Sequence, residues 1–305
     1  MPAKNTADST EQRSFAINGA RVVVPHVSGG LHIVATPIGN LGDVTIRALS
    51  TLAGADIVAC EDSRVTRVLL DRYGISRPLT TYHEHNAAEQ RPRLLAWLAD
   101  GKSVALVSDA GTPLLSDPGY RLVVEAAAAG HALVPVPGPS ALLAALVLAG
   151  LPTDAFFFAG FLPPKEAARR KRLTELAAIP GSLVFYESPH RLGASLADMA
   201  SVLGDRPAAV ARELTKLFET VRRGSLSTLA EEFSAAPKGE IVVVVGPPLD
   251  TPPEAGEIDA LLLRLLDAGS VRSAADEAAA VTGLPRRDLY RRALELREGE
   301  RGAEG

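Results

Sequence analysis

Cysteine is all but missing from this sequence: Cys60 stands alone among 305 residues, so no intrachain disulfide can form and no zinc centre built on several thiolates is available. Such scarcity fits a reducing compartment and makes a cytoplasmic location the expectation. Long apolar runs are missing too. The longest, Ala141–Leu151, falls well short of the ~20 residues of a spanning helix, so it reads as a buried helix and the membrane is no partner. Residues 1–30 mix Ser, Thr, Asn, Lys and Glu without the apolar block of a secretion signal, and read as a flexible leader outside the fold. Neither sign of charge dominates: at a net charge of −4, only local basic patches can attract a polyanion.

What is present is apolar material, 47% of the chain, enough for roughly two domains with cores of their own. From Leu31 on, short apolar runs (Leu31–Thr36, Ile57–Glu61, Leu79–His83, Val104–Ser108, Leu133–Val136) alternate with segments whose apolar residues recur every three or four positions. That alternation predicts strand–helix repeats and an open, mainly parallel sheet over 31–151. The rhythm breaks at Gly150-Leu151-Pro152. Over 152–247 the strands Phe156–Phe161, Leu183–Glu187, Ala208–Glu213, Thr220–Arg222 and Ile241–Val245 crowd together with fewer helices, the pattern of a mixed-sheet α/β domain. Proline-rich 248–257 reads as a stiff linker, and 258–298 carries helical segments around a Thr282-Gly283-Leu284 turn, a helix-turn-helix-like module.

Three unusual loops leave strands of the first sheet. Ser108–Gly119 joins a buried-looking strand to a helix, at the carboxyl edge where open α/β sheets bind ligands. Gly111 permits close backbone approach, Pro113 and Pro118 stiffen the loop, and Asp109, Thr112, Ser116 and Asp117 offer polar contacts. Thr36–Asp43 and Pro137–Ala141 leave neighbouring strands in the same way. None contains Gly-x-Gly-x-x-Gly or a Gly-x-x-x-x-Gly-Lys-Ser/Thr phosphate loop, which disfavours a nicotinamide cofactor or ATP. A small, amphipathic, largely uncharged ligand remains.

The ordered set Thr36-Pro37-Ile38-Gly39-Asn40-Leu41, Glu61-Asp62-Ser63-Arg64, Ser108-Asp109-Ala110-Gly111-Thr112-Pro113 and Pro137-Gly138-Pro139-Ser140 resembles the tetrapyrrole-methylase superfamily, and within it the branch that methylates ribosomal RNA. Phe161-Leu162-Pro163-Pro164-Lys165, Phe185–Arg191 and Arg212–Lys216 extend the likeness over Leu31–Gly246. Thr220, following Glu219 where a second acidic residue is expected, departs from the pattern. The resemblance implies two α/β domains with S-adenosylmethionine folded between them. It places Pro37, Gly111, Thr112, Pro113, Ser116, Ser140 and Ala141 at the cofactor from the first domain, and Glu187 and Glu213 from the second. It further implies a homodimer, and methyl transfer to the ribose 2′-oxygen of a cytidine in the decoding region of 16S ribosomal RNA, on naked rRNA or the small subunit.

An alkyl hydroxyl is a poor nucleophile, so such a site needs a base or a means of aligning the hydroxyl. Glu61, Asp62, His83 and Lys216 are the candidates, although Glu61-Asp62 reads equally as a helix cap. His83-Glu84-His85 lacks an evident third ligand and reads as hydrogen-bonded loop histidines, so no metal is expected. Lys165, Arg169, Arg170, Lys171 and Arg172 form the densest basic run, which suits phosphate as well as it suits a solvated helix face. His190 and Arg191 add a ring and a cation, and Arg286 and Arg287 open the last helix of the tail as further RNA contacts. Two other readings stay open: a precorrin-type tetrapyrrole C-methyltransferase, and a ligand-sensing DNA-binding regulator.

Overall fold

The computed structural model describes residues 13–115, 119–249, 255–282 and 284–303, and the chain divides into two units, Met1–Pro248 and Leu249–Gly305. The first unit begins with an antiparallel hairpin, β1 (Ser14–Ile17) and β2 (Ala20–Val23), joined by Asn18-Gly19, both at positive φ. This is the turn that Asn-Gly favours, because its twist matches that of paired strands. Phe15 is buried in the core, and Asp56 accepts from Arg13 Nη2 (2.8 Å), His26 Nε2 (2.9 Å) and both the amide and hydroxyl of Ser103 (2.9 Å each). Residues 13–30 are therefore not a loose leader; strands of four residues are too short to show a period in sequence. Residues 1–12 lie outside the described residues, as does much of the expected linker.

Five strands then form a wholly parallel sheet: β3 (Gly30–Val34), β4 (Ile57–Cys60), β5 (Leu79–Thr81), β6 (Ser103–Leu106) and β7 (Leu133–Val136), ordered β5-β4-β6-β3-β7. Helices α1 (Ile46–Gly54), α2 (Ser63–Arg72), α3 (Ala87–Ala99) and α4 (Tyr120–Ala128) connect them. Core residues lie on both faces, Val34, Leu49, Leu52 and Val58 in one cluster and Leu31, Leu94, Val104 and Leu122 in another, as a parallel sheet requires.

The second sheet is mixed: β8 (Phe156–Phe161), β9 (Ser182–Glu187), β10 (Pro207–Arg212), β11 (Thr220–Ser225) and β12 (Ile241–Val245), ordered β11-β10-β12-β9-β8, with only β8 and β9 parallel. Its two faces follow the strand period of two. Ile241, Val243 and Val245 pack with Leu183 and Phe185 under α6 (Glu166–Leu176), α7 (Leu192–Leu203) and α8 (Leu226–Glu232). Val242 and Val244 point the other way, with Val184, Ala209 and Ala211, onto α5 (Ala141–Ala149). Helix α5 thus buries one face, Leu142, Ala145, Leu146 and Ala149, against the mixed sheet, while Leu143, Val147 and Leu148 stay exposed, so the apolar run is not a fully buried helix. Each buried Val or Leu contributes about 1.5–3 kcal/mol, so this seam firmly joins the two halves of the unit.

Among the described residues the second unit has three helices, α9 (Ala255–Ala268), α10 (Val271–Thr282) and α11 (Arg286–Ala303), around Leu262, Ala275, Ala278, Leu289 and Ala293. Among the described residues no helix is long and apolar enough to cross a membrane.

Candidate functional site

The carboxyl edge of the parallel sheet opens onto a cavity of about 370 Å³. The loops after β3 and β6 are stitched together there: Thr36 and Gly111 exchange both backbone hydrogen bonds (2.8 and 3.0 Å), and Thr36 Oγ1 donates to the Ser108 carbonyl at 3.1 Å. Gly111 takes φ +81°, and a Cβ on it would stand 3.3 Å from Ile38 Cγ2, so a side chain would be both strained and crowded at this wall. Thr112 Oγ1 donates to the Pro139 carbonyl (3.2 Å), tying the loop to the one that enters α5. Ser140 caps that helix and, with Ala141, borders the cavity. Pro37 and Pro113 do not line it; their neighbours Ile38 and Thr112 do. Ser116 lies outside the described residues.

The mixed sheet supplies the opposite wall through Phe161, Tyr186, Ala211, Leu214 and Val242. Glu187 is on this wall, but its carboxylate is engaged from within: Oε1 accepts from the Ser188 amide (2.7 Å) and from Arg191 Nε and Nη2 (2.9 and 2.7 Å), and Oε2 from Ser195 Oγ (2.6 Å). It holds the Ser188-Pro189 rim in place. Glu213 stands behind the wall. It pairs with Lys216 Nζ (2.8 Å) and accepts from the Glu240 amide (3.0 Å), and Lys216 foremost holds its carboxyl below the usual carboxylate range. Gly239 and Glu240 line the cavity instead, and a Cβ on Gly239 would overlap the Glu213 carboxyl at 2.4 Å. Neither carried a motif signal, because the contact depends on strand pairing.

Beside the cavity lies an open depression of about 440 Å³ lined by Glu61, Asp62, Arg64, Thr81, His83, His85 and Asp109. It gathers three of the four candidate bases, Glu61, Asp62 and His83, and adds Asp109 from the loop after β6. Asp62 caps α2, accepting the Arg64 amide (2.8 Å) and pairing with its guanidinium (2.6 Å), and Arg64 holds the carboxyl down to about 2. It is a cap and a fixed anion. Burial first, and then the neighbouring Asp109 carboxylate, pushes Glu61 above the usual carboxylate range; burial does the same for Asp109 against the Asp62 amide, which donates to it at 2.9 Å. His83 Nδ1 is buried without a hydrogen-bond partner. Lys216 is not in the depression: it bridges Glu213 and Glu240 (3.2 Å) behind the cavity wall.

The family model of Tetrapyrrole (Corrin/Porphyrin) Methylases matches residues 30–230. The chain belongs to the tetrapyrrole methylase family. A model of the RsmI C-terminal HTH domain matches residues 252–297 of this methylase. Relatives named Ribosomal RNA small subunit methyltransferase I include one from Mesorhizobium japonicum, 60% identical over 88% of this chain and 92% of that protein. Others come from Xylella fastidiosa (50%, covering 86% and 98%) and Escherichia coli O157:H7 (46%, covering 88% and 95%). Among solved structures, the methyltransferase CobJ superposes with a TM-score of 0.55 at 23% identity, covering 72% of this chain and 95% of that one. A uroporphyrin-III C-methyltransferase from Thermus thermophilus, complexed with S-adenosyl homocysteine, gives 0.51 at 20%, covering 71% and 97%. At these identities the structures share the fold.

The basic residues of this family member divide into two groups. Arg169 is buried and donates from both Nε (2.7 Å) and Nη2 (2.6 Å) to Oδ2 of Asp198 on α7, so it is a packing residue and not an RNA contact. A run of cations looks solvated in sequence, but Asp198, 29 residues on, draws this one inward. Arg170 shares Asp198 (2.9 Å), Arg172 pairs with Glu175 (2.9 Å), Arg191 is engaged by Glu187, and Arg286 by Asp276. Lys165, Lys171, His190 and Arg287 are exposed.

Proposed function

We propose that this chain transfers the methyl group of S-adenosylmethionine to the ribose 2′-oxygen of a cytidine in the decoding region of 16S ribosomal RNA, as a cytoplasmic homodimer. The observation that carries the reading is the Asp109–Ala110 peptide bond, where a cavity within the ~300–1,000 Å³ range of small-molecule sites meets an acidic depression able to take a hydroxyl proton.

The cavity fits the donor in chemistry. Ile38, Ala211, Leu214 and Val242 give it an apolar floor, Gly111 leaves room where a Cβ would crowd the wall, and Thr112 and Ser188 offer polar edges. The first-turn amides of α5 suit a carboxylate. When bound, S-adenosylmethionine supplies an electrophilic methyl group on a sulfonium sulfur. Glu61 and Asp109 share the depression and both bind protons more tightly than ordinary carboxylates, which makes them better proton acceptors near neutral pH. We assign them jointly as the base, titrating as a pair. The names of the relatives support ribosomal RNA as acceptor, and exposed Lys165, Lys171, His190 and Arg287 suit its phosphates. Leu143 (51% exposed) and Val147 (73%) leave an apolar face of α5 open, which supports a second copy.

The test is incubation with methyl-labelled S-adenosylmethionine and small ribosomal subunits from a strain lacking the modification, followed by mapping of the label. Label on one cytidine ribose is expected. No label in ribosomal RNA refutes the reading; label in a tetrapyrrole extract, or specific duplex DNA binding without transfer, favours one of its rivals. Light scattering checks the dimer.

A further inference from the structure

The second sheet contains one irregularity, and it lies at the cavity. Along β8 and β9 the parallel register runs Phe156↔Ser182, Phe157↔Leu183 and Phe158↔Val184, then skips Ala159 and resumes at Gly160↔Phe185 and Phe161↔Tyr186. Strand residues alternate between faces. Phe158 lies on the α5 side with Val184, and Ala159 packs into the helix-covered core with Phe185. An unbroken strand would keep that alternation and send Phe161 into the helix-covered core. The extra residue reverses it: Gly160, at φ +65°, pairs with core-facing Phe185, and Phe161 emerges beside Tyr186 on the cavity wall. Bulges next to sites often re-aim a side chain in this way.

The re-aimed ring is left in an unusual state. Phe161 lines the cavity yet is 57% exposed, so much of its surface meets solvent at the rim. Its orientation is nevertheless held. Tyr186 meets it edge-on at 5.6 Å, and Phe158 braces Tyr186 edge-on at 4.9 Å. Exposed Lys165 follows four residues later, and Pro189 shares the cavity wall next to exposed His190. A large apolar ring with a fixed orientation at a wet rim is suited to receiving a flat partner. The buried floor of Ile38, Ala211, Leu214 and Val242 is the drier part of the cavity and serves the donor; the exposed rim faces what arrives after it.

We infer that Phe161 is the stacking platform for the acceptor nucleobase, and that the bulge at Ala159-Gly160 exists to present it. The inference rests on the RNA reading proposed above. Stacking fixes the nucleotide while its ribose hydroxyl reaches the carboxylates across the cavity mouth, so Phe161 is a positioning residue that acts on acceptor binding.

The test compares wild type with Phe161→Ala and Phe161→Tyr, using small ribosomal subunits as substrate and calorimetry for S-adenosylmethionine. Because the ring is more than half exposed, neither change should prevent folding, and a melting curve checks this. Phe161→Ala should raise KM for subunits roughly 5- to 150-fold, the range lost with one base–aromatic stack. The S-adenosylmethionine Kd should stay within about twofold, and Phe161→Tyr should restore KM. An unchanged subunit KM in Phe161→Ala overturns the inference and leaves the RNA reading standing. A weakened S-adenosylmethionine Kd matching the loss in KM also overturns it, because the ring then belongs to the donor. If wild type labels no subunit RNA, both fall together.

Discussion

Replacing Asp109 by Asn keeps the shape of the side chain and an acceptor for the Asp62 amide, now 2.9 Å from Oδ1, while removing the charge. A positioned base contributes about 10²- to 10⁴-fold, or roughly 3–5 kcal/mol of barrier. Glu61 remains in the same depression, so a loss near the lower end, about 100-fold in single-turnover transfer, is expected. Stability should move the other way. Burial holds the Asp109 carboxyl above the usual carboxylate range, so the folded chain keeps this proton to higher pH than the unfolded chain does. Its contribution to stability therefore falls as pH rises from the ordinary carboxylate value through the raised one, and stays reduced above it. Asn has nothing to ionise. The variant should melt at or above wild type at pH 8 while reacting far more slowly, and the rising limb of its pH–rate profile should move to lower pH, because Glu61 remains as base without the neighbouring carboxylate that helps to raise it. Transfer within about threefold of wild type, with an unmoved profile, would refute the assignment.

Thr112→Trp should fill the donor cavity and weaken S-adenosylmethionine at least about tenfold, roughly 1.4 kcal/mol, by calorimetry; unchanged affinity would reject that cavity as the donor site. Arg191→Ala removes the cation from a fully buried Glu187 carboxylate and should cost about 3–5 kcal/mol in urea unfolding. A cost under about 1 kcal/mol would show that the Ser188 and Ser195 donors suffice. Asp56→Ala should release the N-terminal hairpin at a cost of about 2–4 kcal/mol. Although burial works against it, the Arg13, Ser103 and His26 donors hold the Asp56 carboxyl below the usual range. Its contribution is therefore present above the unfolded carboxylate value and lost as pH falls through the folded one. Wild type and variant should converge in acid, and a gap that persists there would contradict the account.

Much of the architecture was legible because burial leaves a local period in sequence. The alternation from Leu31 to Val136 announced a parallel sheet and the crowding of strands after Phe156 announced a mixed one, whereas the apolar run at Ala141 is a helix buried on one face only. The motif set also pointed to the loops at Ile38, Gly111–Thr112 and Ser140, which do border one cavity. The hairpin at Ser14–Val23 escaped notice because four-residue strands carry no readable period.

By itself, then, the sequence determined the order of elements from Leu31 on, the family and the loop that lies at the cavity, since each depends on neighbours a few residues apart. Tertiary structure alone decided what individual charged and aromatic side chains do there. Asp109 becomes a candidate base because the pairing of β6 with β4 brings the loop after β6 against Glu61 and Asp62, 47 residues apart in the case of the Asp62 amide. Arg169 is withdrawn from the basic run by Asp198, and the Glu187 carboxylate is engaged by Arg191 and Ser195 although the residue lines the cavity. A single extra residue at Ala159 changes the face on which Phe161 appears. Pairing and register act over long separations and reverse side-chain direction with one step, so composition and local pattern cannot encode their outcome.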